Sequence, residues 1–178
     1  INPGIWPVMI TPWTEDNKPD YKAIKGLVDW YVEKGCAGIF AMCQSSEMAF
    51  LTPQEKLDIA KATADAVDGR IQVVASGHTA DDKATQFKEI EDMMQVPGIG
   101  AYVLVSNRLD QKNEGEAVFE ANAQEIFDRY PEIDFGIYEC PMPWKRLVST
   151  EFLRHAGEEG RMVFLKDTCC DYELVRQR

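Results

Sequence analysis

The sequence lacks the features of several protein classes. It has no run of about 18 uncharged apolar residues, which a membrane-spanning helix would need. Its apolar beginning, residues 4–10, has neither a basic flank nor a small-residue cleavage site, as a secretory signal would. Positive charge is scarce, since 19 basic residues stand against 30 acidic ones and the net charge is -11. We therefore expect the chain to repel nucleic acid and anionic membranes.

Cysteine, histidine and glycine are too few or too scattered for a disulfide framework, a metal site or a phosphate loop. The five cysteines are an odd number without a C-x-x-C pair, and only His78 and His155 could add imidazole ligands. Gly98-Ile99-Gly100 precedes a predicted strand, whereas a dinucleotide-binding loop follows one. We expect no metal, no cofactor, and a reducing, cytoplasmic setting.

The residues that are present indicate one globular domain covering residues 1–178, with 45% apolar and 28% charged side chains. Short apolar or β-branched runs alternate with longer amphipathic ones. The predicted strands are residues 5–10, 37–42, 71–75, 101–105, 134–138 and 162–166, and the predicted helices are 20–34, 53–67, 80–95, 114–130 and 150–159. Helix starts are indicated by Asp20, by Thr52 with Glu55 three residues on, and by Thr79 with Asp82 three residues on.

This alternation predicts a parallel sheet, because each connection is long enough to hold a helix and return right-handed. Two architectures remain open on this ground, a doubly wound sheet and a (β/α)₈ barrel cut short. A whole barrel needs roughly 250 residues, so about two βα units would be missing. The chain reaches Arg178 just as a sixth helix begins, and we expect the natural protein to continue.

Several chemically capable side chains follow the predicted strands, at the edge where functional residues gather in both architectures. The apolar run 163–165 ends on Lys166, and a desolvated lysine can act as a nucleophile toward a carbonyl. Tyr138 ends the neighbouring strand and could move a proton. Ser45 and Ser46 lie in a strand-to-loop turn that could hold a carboxylate. Together these residues suggest imine chemistry on a 2-oxo acid.

Each of these residues also has an ordinary structural interpretation. Tyr138 could be a packed aromatic, Lys166 could extend to water, and Ser45 and Ser46 could be turn residues. His78 could be a base or ligand, but it has no partner for a metal cluster. Four thiols fall at the same edge, and filling space around a pocket is favoured over thiol chemistry for them: Cys43, Cys140, Cys169 and Cys170.

Four segments in order resemble the dihydrodipicolinate synthase and N-acetylneuraminate lyase family of class I, pyruvate-dependent aldolases. Thr11-Pro12-Trp13 resembles the family's T-P-F opening, and Cys43-Gln44-Ser45-Ser46-Glu47 resembles its G-T-T-G-E loop. Tyr138-Glu139-Cys140-Pro141 matches the Y-N-x-P motif, and Lys166-Asp167-Thr168 resembles the start of K-E-x-x-G-D. The resemblance extends over essentially the whole chain.

The resemblance implies a (β/α)₈ TIM barrel of which this chain covers about the first six βα units. It also implies a lyase in which Lys166 forms a Schiff base with a pyruvate-like 2-oxo acid and Tyr138 transfers protons. Ser45 would be both a relay hydroxyl and a carboxylate contact, Ser46 would contribute its backbone N–H, and Gln44 takes the place of the first relay threonine. Small-molecule substrates and self-association as dimers or tetramers are further expectations from the family.

Three differences from the family pattern argue against a true dihydrodipicolinate synthase. Pro143 stands where those enzymes carry a substrate-binding arginine, residues 106–108 contain no tyrosine, and Gln44 replaces a threonine. We therefore expect another aldehyde partner, with Trp144 as a candidate contact for it. A non-catalytic binding or regulatory member of the family is the main alternative, and thiol chemistry through Cys140 or the Cys169-Cys170 pair is a more remote one.

Overall fold

The computed structural model describes all residues, 1–178, as five strands and six α-helices in alternating order. The strands are β1 (Gly38–Ala41), β2 (Gln72–Ala75), β3 (Ala101–Val105), β4 (Phe135–Tyr138) and β5 (Met162–Lys166). The helices are α1 (Tyr21–Glu33), α2 (Pro53–Val67), α3 (Lys83–Met94), α4 (Glu116–Arg129), α5 (Thr150–Glu158) and α6 (Tyr172–Gln177).

The helices begin mostly where local capping chemistry predicts. The Asp20 carboxylate accepts the Ala23 N–H at the start of α1, and Thr52 and Glu55 form a reciprocal capping box at the start of α2. Helix α3 is an exception, because Asp82 caps it and its predicted start near residue 80 is wrong. Thr79 does not cap this helix; its hydroxyl and amide both donate to Glu89, at 2.7 and 3.0 Å.

The five strands form one parallel sheet in the order β1-β2-β3-β4-β5. The predicted strand over residues 5–10 is present only as a single bridge between Val8 and Phe40. It nevertheless lies along β1, since the Ile5 and Pro7 carbonyls accept from Ala37 and Phe40 at 2.9 Å. Pro7 has no N–H to donate, which prevents a full ladder here.

The sheet curls, so that strands far apart in its order meet on one face. Phe164 of β5 lies 5.6 Å from Phe40 of β1 and 5.6 Å from Trp6, measured between ring centroids. Strands β1, β3 and β4 are fully buried, whereas β5 is half-buried throughout. This arrangement is a partial α/β barrel, with one hydrophobic core between the sheet and its helices. None of the helices combines the length and apolar character needed to span a bilayer.

Close packing of Trp6 against β1 predicts a specific sensitivity at Gly38. A Cβ atom at this position would lie 2.3 Å from the Trp6 ring, so Gly38→Ala should lower the free energy of unfolding by about 1–3 kcal/mol. Gly26, at an exposed position of α1, is the control, because an added Cβ there meets nothing within 4 Å. Gly26→Ala should stabilise by up to about 1 kcal/mol. Urea unfolding of both variants measures the difference, and equal effects would contradict the proposed packing.

Candidate active site

A tight loop after β1 brings the Gln44–Ser46 segment to the carboxyl end of the sheet. These three residues form one 3₁₀ turn, which lies between Met42 and Glu47 with φ angles of 50° and 62°. Left-handed conformations are costly for residues other than glycine, and they persist where the surroundings fix them. Met42 is fully buried, and its carbonyl accepts the Ser76 N–H at 3.1 Å. The loop is therefore held rigidly by the strand next to it.

Ser46 holds this loop in place through its hydrogen bonds. Its hydroxyl donates to the Met9 carbonyl at 2.6 Å and accepts the Cys43 N–H at 3.1 Å, while its own N–H donates to the Cys43 carbonyl at 3.0 Å. Thr11 donates to the Ser46 carbonyl at 2.7 Å. Every polar group of Ser46 thus has a partner within the chain. The role of Ser46 as a substrate contact stays a prediction, and it would require one of these bonds to open.

Gln44 and Ser45 face the opposite way, toward the open end of the sheet. Gln44 Oε1 accepts a hydrogen bond from the Tyr138 hydroxyl at 3.0 Å and a weak one from the Cys140 thiol at 3.5 Å. The Ser45 side chain is exposed and makes no hydrogen bond. The backbone N–H groups of Gln44 and Ser45 have no acceptor in the chain. These free donors are available to a ligand.

Tyr138 and Lys166 lie side by side on β4 and β5. They are paired in the register of the two strands, so their side chains leave the same face of the sheet. Lys166 Nζ lies 4.0 Å from the centroid of the Tyr138 ring and 5.8 Å from that of Phe40. The structure therefore brings together three of the predicted site residues, Lys166, Tyr138 and Gln44.

The Tyr138 phenol is held in its protonated form. The side chain is only 3% exposed, and burial raises its pKa well above the ordinary value of 10.0, with the neighbouring Cys140 thiol adding to the shift. A protonated phenol can donate to Gln44 and can supply a proton to a developing negative charge. The environment therefore favours a proton donor over a phenolate base at neutral pH.

A buried ion pair that sequence reasoning missed joins the ends of β4 and β5. Glu139 is fully buried, and it accepts the N–H groups of Val148 at 2.8 Å and Thr168 at 3.0 Å. Arg178 Nη2 pairs with the same carboxylate at 2.7 Å, and Arg178 Nη1 pairs with Asp167. The signal in the sequence was a carboxylate directly after an apolar strand. This network fixes the backbone on either side of Tyr138 and Lys166.

A cleft of about 250 Å³ opens beside Tyr138. Gln44, which accepts from the Tyr138 hydroxyl, and Cys140 line it, together with residues from the loops after β1, β2, β3 and β4. The cleft is lined by Gln44, Glu47, Met48, Ala49, Phe50, His78, Thr79, Val105, Arg108, Cys140, Met142 and Pro143.

Comparison with known proteins identifies the family. The sequence pattern of the Dihydrodipicolinate synthetase family matches residues 2–106, which is more than half of the chain. The chain belongs to this family. A curated member, 4-hydroxy-tetrahydrodipicolinate synthase of Methanococcus maripaludis strain S2, is 31% identical over 97 residues. That match covers 54% of this chain and 33% of the relative, so it spans about a third of the relative's length.

Solved structures of the dihydrodipicolinate synthetase family share the fold. A prophage protein of Escherichia coli K12, solved in complex with pyruvate, superposes with a TM-score of 0.84 at 19% identity. The N-acetylneuraminate lyase of Proteus mirabilis gives 0.82 at 16% identity. The matches cover 98% of this chain in both cases, and 57% and 58% of those chains. The partial barrel seen here therefore corresponds to a little over half of a family barrel.

Trp144, the acceptor contact expected from the family resemblance, lies outside the cleft wall. Asn107 Nδ2 donates to the carbonyls of Cys140, Met142 and Trp144 at 3.0, 2.9 and 2.7 Å, which sets the path of this loop. Met142 and Pro143, joined by a cis peptide bond, are the loop residues that face the cleft. The substrate contact by Trp144 stays a prediction, and Trp144 is not among the residues that line the cleft.

His78 is placed at the cleft as a neutral, buried imidazole. Its Nδ1 accepts the Val105 N–H at 3.0 Å, which leaves the proton on Nε2, and Nε2 has no hydrogen-bond partner. Burial lowers its pKa from 6.5 to about 4; Arg108 and Lys56 contribute to this decrease, whereas Glu89 opposes it. This histidine is therefore uncharged at neutral pH.

The lowered pKa of His78 predicts a pH dependence of stability. Between pH 6.5 and 4 the unfolded chain binds a proton at this residue and the folded chain does not, so the free energy of unfolding falls as the pH decreases. The loss attributable to His78 should reach about 3 kcal/mol. His78→Asn keeps an acceptor for Val105 but cannot titrate. Its unfolding free energy should decline less steeply over this range, and parallel curves for both proteins would contradict a neutral His78.

Proposed function

We propose that this chain carries the imine-forming half of a class I lyase, in which Lys166 forms a Schiff base with pyruvate or a related 2-oxo acid. The observation that carries the proposal is the pairing of Tyr138 and Lys166, with Nζ 4.0 Å from the phenol ring. A relative of the same fold has been solved in complex with pyruvate, which supports a 2-oxo acid as the substrate class.

The proposed reaction begins with attack of the Lys166 amine on the ketone carbon. The resulting carbinolamine loses water to form the imine, and a proton must reach the departing hydroxyl. Tyr138 is protonated, buried and adjacent, so it is the group proposed to supply that proton. Loss of a proton from the substrate methyl group then gives an enamine, whose carbon forms a bond to an aldehyde; in the cleavage direction the same bond breaks and leaves the enamine.

The 2-oxo acid carboxylate is proposed to bind at the loop after β1. The Ser45 hydroxyl is exposed and without a partner, and the backbone N–H groups of Gln44 and Ser45 have no acceptor in the chain. Donors of this kind suit a carboxylate. Gln44 is proposed to position Tyr138 through the 3.0 Å bond to its hydroxyl.

The aldehyde partner is proposed to differ from that of dihydrodipicolinate synthase. Pro143 lies on the cleft, and the nearby Arg146 is not free, because it is buried between Asp110 and Glu116 at 3.1 Å from each. No arginine of this loop therefore faces the cleft. Dimers or tetramers remain an expectation from the family.

A binding or regulatory role without turnover is the second candidate. It is favoured by Gln44, because an amide that accepts from Tyr138 cannot pass a proton onward as a hydroxyl does. In that case the protein would bind a 2-oxo acid at the same residues without completing the reaction.

Chemical trapping tests the imine. Incubation of the full-length protein with pyruvate and borohydride should add one reduced pyruvate to Lys166, located by peptide mass spectrometry. Lys145 is the matched control, since its Nζ donates to the carbonyl of Thr168, two residues after Lys166, at 2.7 Å. Lys166→Arg should abolish the adduct and Lys145→Arg should keep it. Absence of an adduct on Lys166 at saturating pyruvate would contradict imine formation.

Removal of the Tyr138 hydroxyl tests the proton donor. Tyr138→Phe should lower kcat by roughly 10²–10⁴-fold, because proton transfer to the departing hydroxyl is lost, with a much smaller change in KM for pyruvate. Tyr102→Phe is the control, because Tyr102 is fully buried and its hydroxyl has no partner. Steady-state kinetics on both variants would show a large effect only at Tyr138. Retained turnover in Tyr138→Phe would assign the proton to another group.

A further inference from the structure

The cleft beside Tyr138 meets the proposed reaction centre at one end. Gln44 and Cys140 line it, and the Oε1 of Gln44 accepts from both the Tyr138 hydroxyl and the Cys140 thiol. A molecule that contacts Gln44 in the cleft would therefore be separated by one side chain from the phenol that faces Lys166. Its volume of about 250 Å³ is below the roughly 300–1,000 Å³ of sites for drug-sized ligands, which indicates a small occupant.

Two walls of the cleft are apolar and unusually exposed. Phe50, in the loop after β1, is 86% exposed, and Met142, in the loop after β4, is 59% exposed. Both line the cleft, together with Met48, Val105 and Pro143. Apolar side chains that converge on a cavity bind apolar ligands by removing them from water.

The only cationic side chain that lines the cleft is Arg108, whose charge is balanced by nearby carboxylates, although its buried Nε has no partner. His78 is neutral, because burial lowers its pKa to about 4. The Arg108 guanidinium is paired with Asp81, whereas Glu47 adds a carboxylate that accepts from Trp13 Nε1 at 3.3 Å. The cleft therefore disfavours a carboxylate or phosphate, and its walls offer few partners for a polyhydroxylated molecule.

We propose that this cleft is the acceptor subsite and that it selects an uncharged aldehyde with an apolar body, either aromatic or branched aliphatic. This inference rests on the proposed imine chemistry at Lys166. The enamine carbon derived from pyruvate forms a bond to the aldehyde carbon, and the aldehyde oxygen gains a proton. Hydrolysis of the imine then frees Lys166 and releases a 4-hydroxy-2-oxo acid. Phe50 and Met142 are the specificity-determining residues.

A panel of three aldehydes tests the selectivity on the full-length protein. Benzaldehyde is apolar, glyceraldehyde is hydroxylated, and succinic semialdehyde is anionic; each is supplied with pyruvate, and the condensation product is measured by mass spectrometry. We expect kcat/KM for benzaldehyde to exceed that for either other aldehyde by about tenfold or more. Equal values, or a preference for glyceraldehyde or succinic semialdehyde, would overturn the inference.

Substitution of one wall connects the selectivity to the cleft. Phe50→Ser should lower the benzaldehyde-to-glyceraldehyde ratio by about tenfold. Tyr172→Ser is the control, because Tyr172 is also a strongly exposed aromatic, 75%, and does not line the cleft. Its ratio should not change. An unchanged benzaldehyde-to-glyceraldehyde ratio in Phe50→Ser would also overturn the inference. This holds even if sedimentation shows that the substitution has changed the oligomeric state.

Borohydride trapping separates this inference from the proposed function. If Lys166 forms no adduct with pyruvate, the imine chemistry fails and the acceptor subsite fails with it. If the adduct forms but no aldehyde of the panel is consumed, the imine chemistry stands and the acceptor subsite is refuted. An adduct together with a benzaldehyde preference that depends on Phe50 supports both.

Discussion

The parallel pairing of β4 with β5, which runs without a break from Gly136 to Tyr138 after a register shift at Phe135, is the constraint on which the candidate site depends. It sets Tyr138 opposite Lys166 and directs both side chains to the same face of the curled sheet. Other interactions maintain this pairing. Glu139, fully buried directly after Tyr138, pairs with Arg178 and accepts the Thr168 N–H beyond Lys166, so the two strand ends are tied together. A slip of one residue would turn one of the two side chains away from the other.

The loop after β1 supplies the second half of the arrangement. The hydroxyl and backbone N–H of Ser46 form the hydrogen bonds that hold the loop, and Gln44 and Ser45 face the carboxyl edge of the sheet. Gln44 then reaches Tyr138, a residue 94 positions away in the chain. Rigid support beneath a few unpaired donors is the pattern expected of a site that binds a small acid. The same loop also carries Phe50, which connects the proposed carboxylate-binding edge with the apolar cleft.

The sequence predicted those features that depend on local chemistry. The capping box of Thr52 and Glu55 and the apolar run ending at Lys166 are contained within a few residues, and the structure has both. The predicted strand over residues 5–10 failed as a full strand because Pro7 cannot donate to a ladder. The start of α3 was placed too early because Thr79 binds Glu89, ten residues further along the chain.

The parts of the site that the sequence did not predict depend on contacts between distant segments. The path of the loop that carries Trp144 is set by three hydrogen bonds from Asn107 to backbone carbonyls, and the partner of the Tyr138 hydroxyl is set by the curl of the sheet. Neither could be read from spacing. Family resemblance predicted which side chains are reactive, whereas only the folded geometry distinguishes side chains that face the cleft from those that hold the loops.

A crystal structure of the protein soaked with pyruvate would test the central claim most directly. The account predicts continuous electron density from Lys166 Nζ to the ketone carbon, with the substrate carboxylate at Ser45 and the Tyr138 hydroxyl about 3 Å from the reacting carbon's substituents. Pyruvate bound elsewhere, or bound near Ser45 with Lys166 directed away and unmodified, would contradict it.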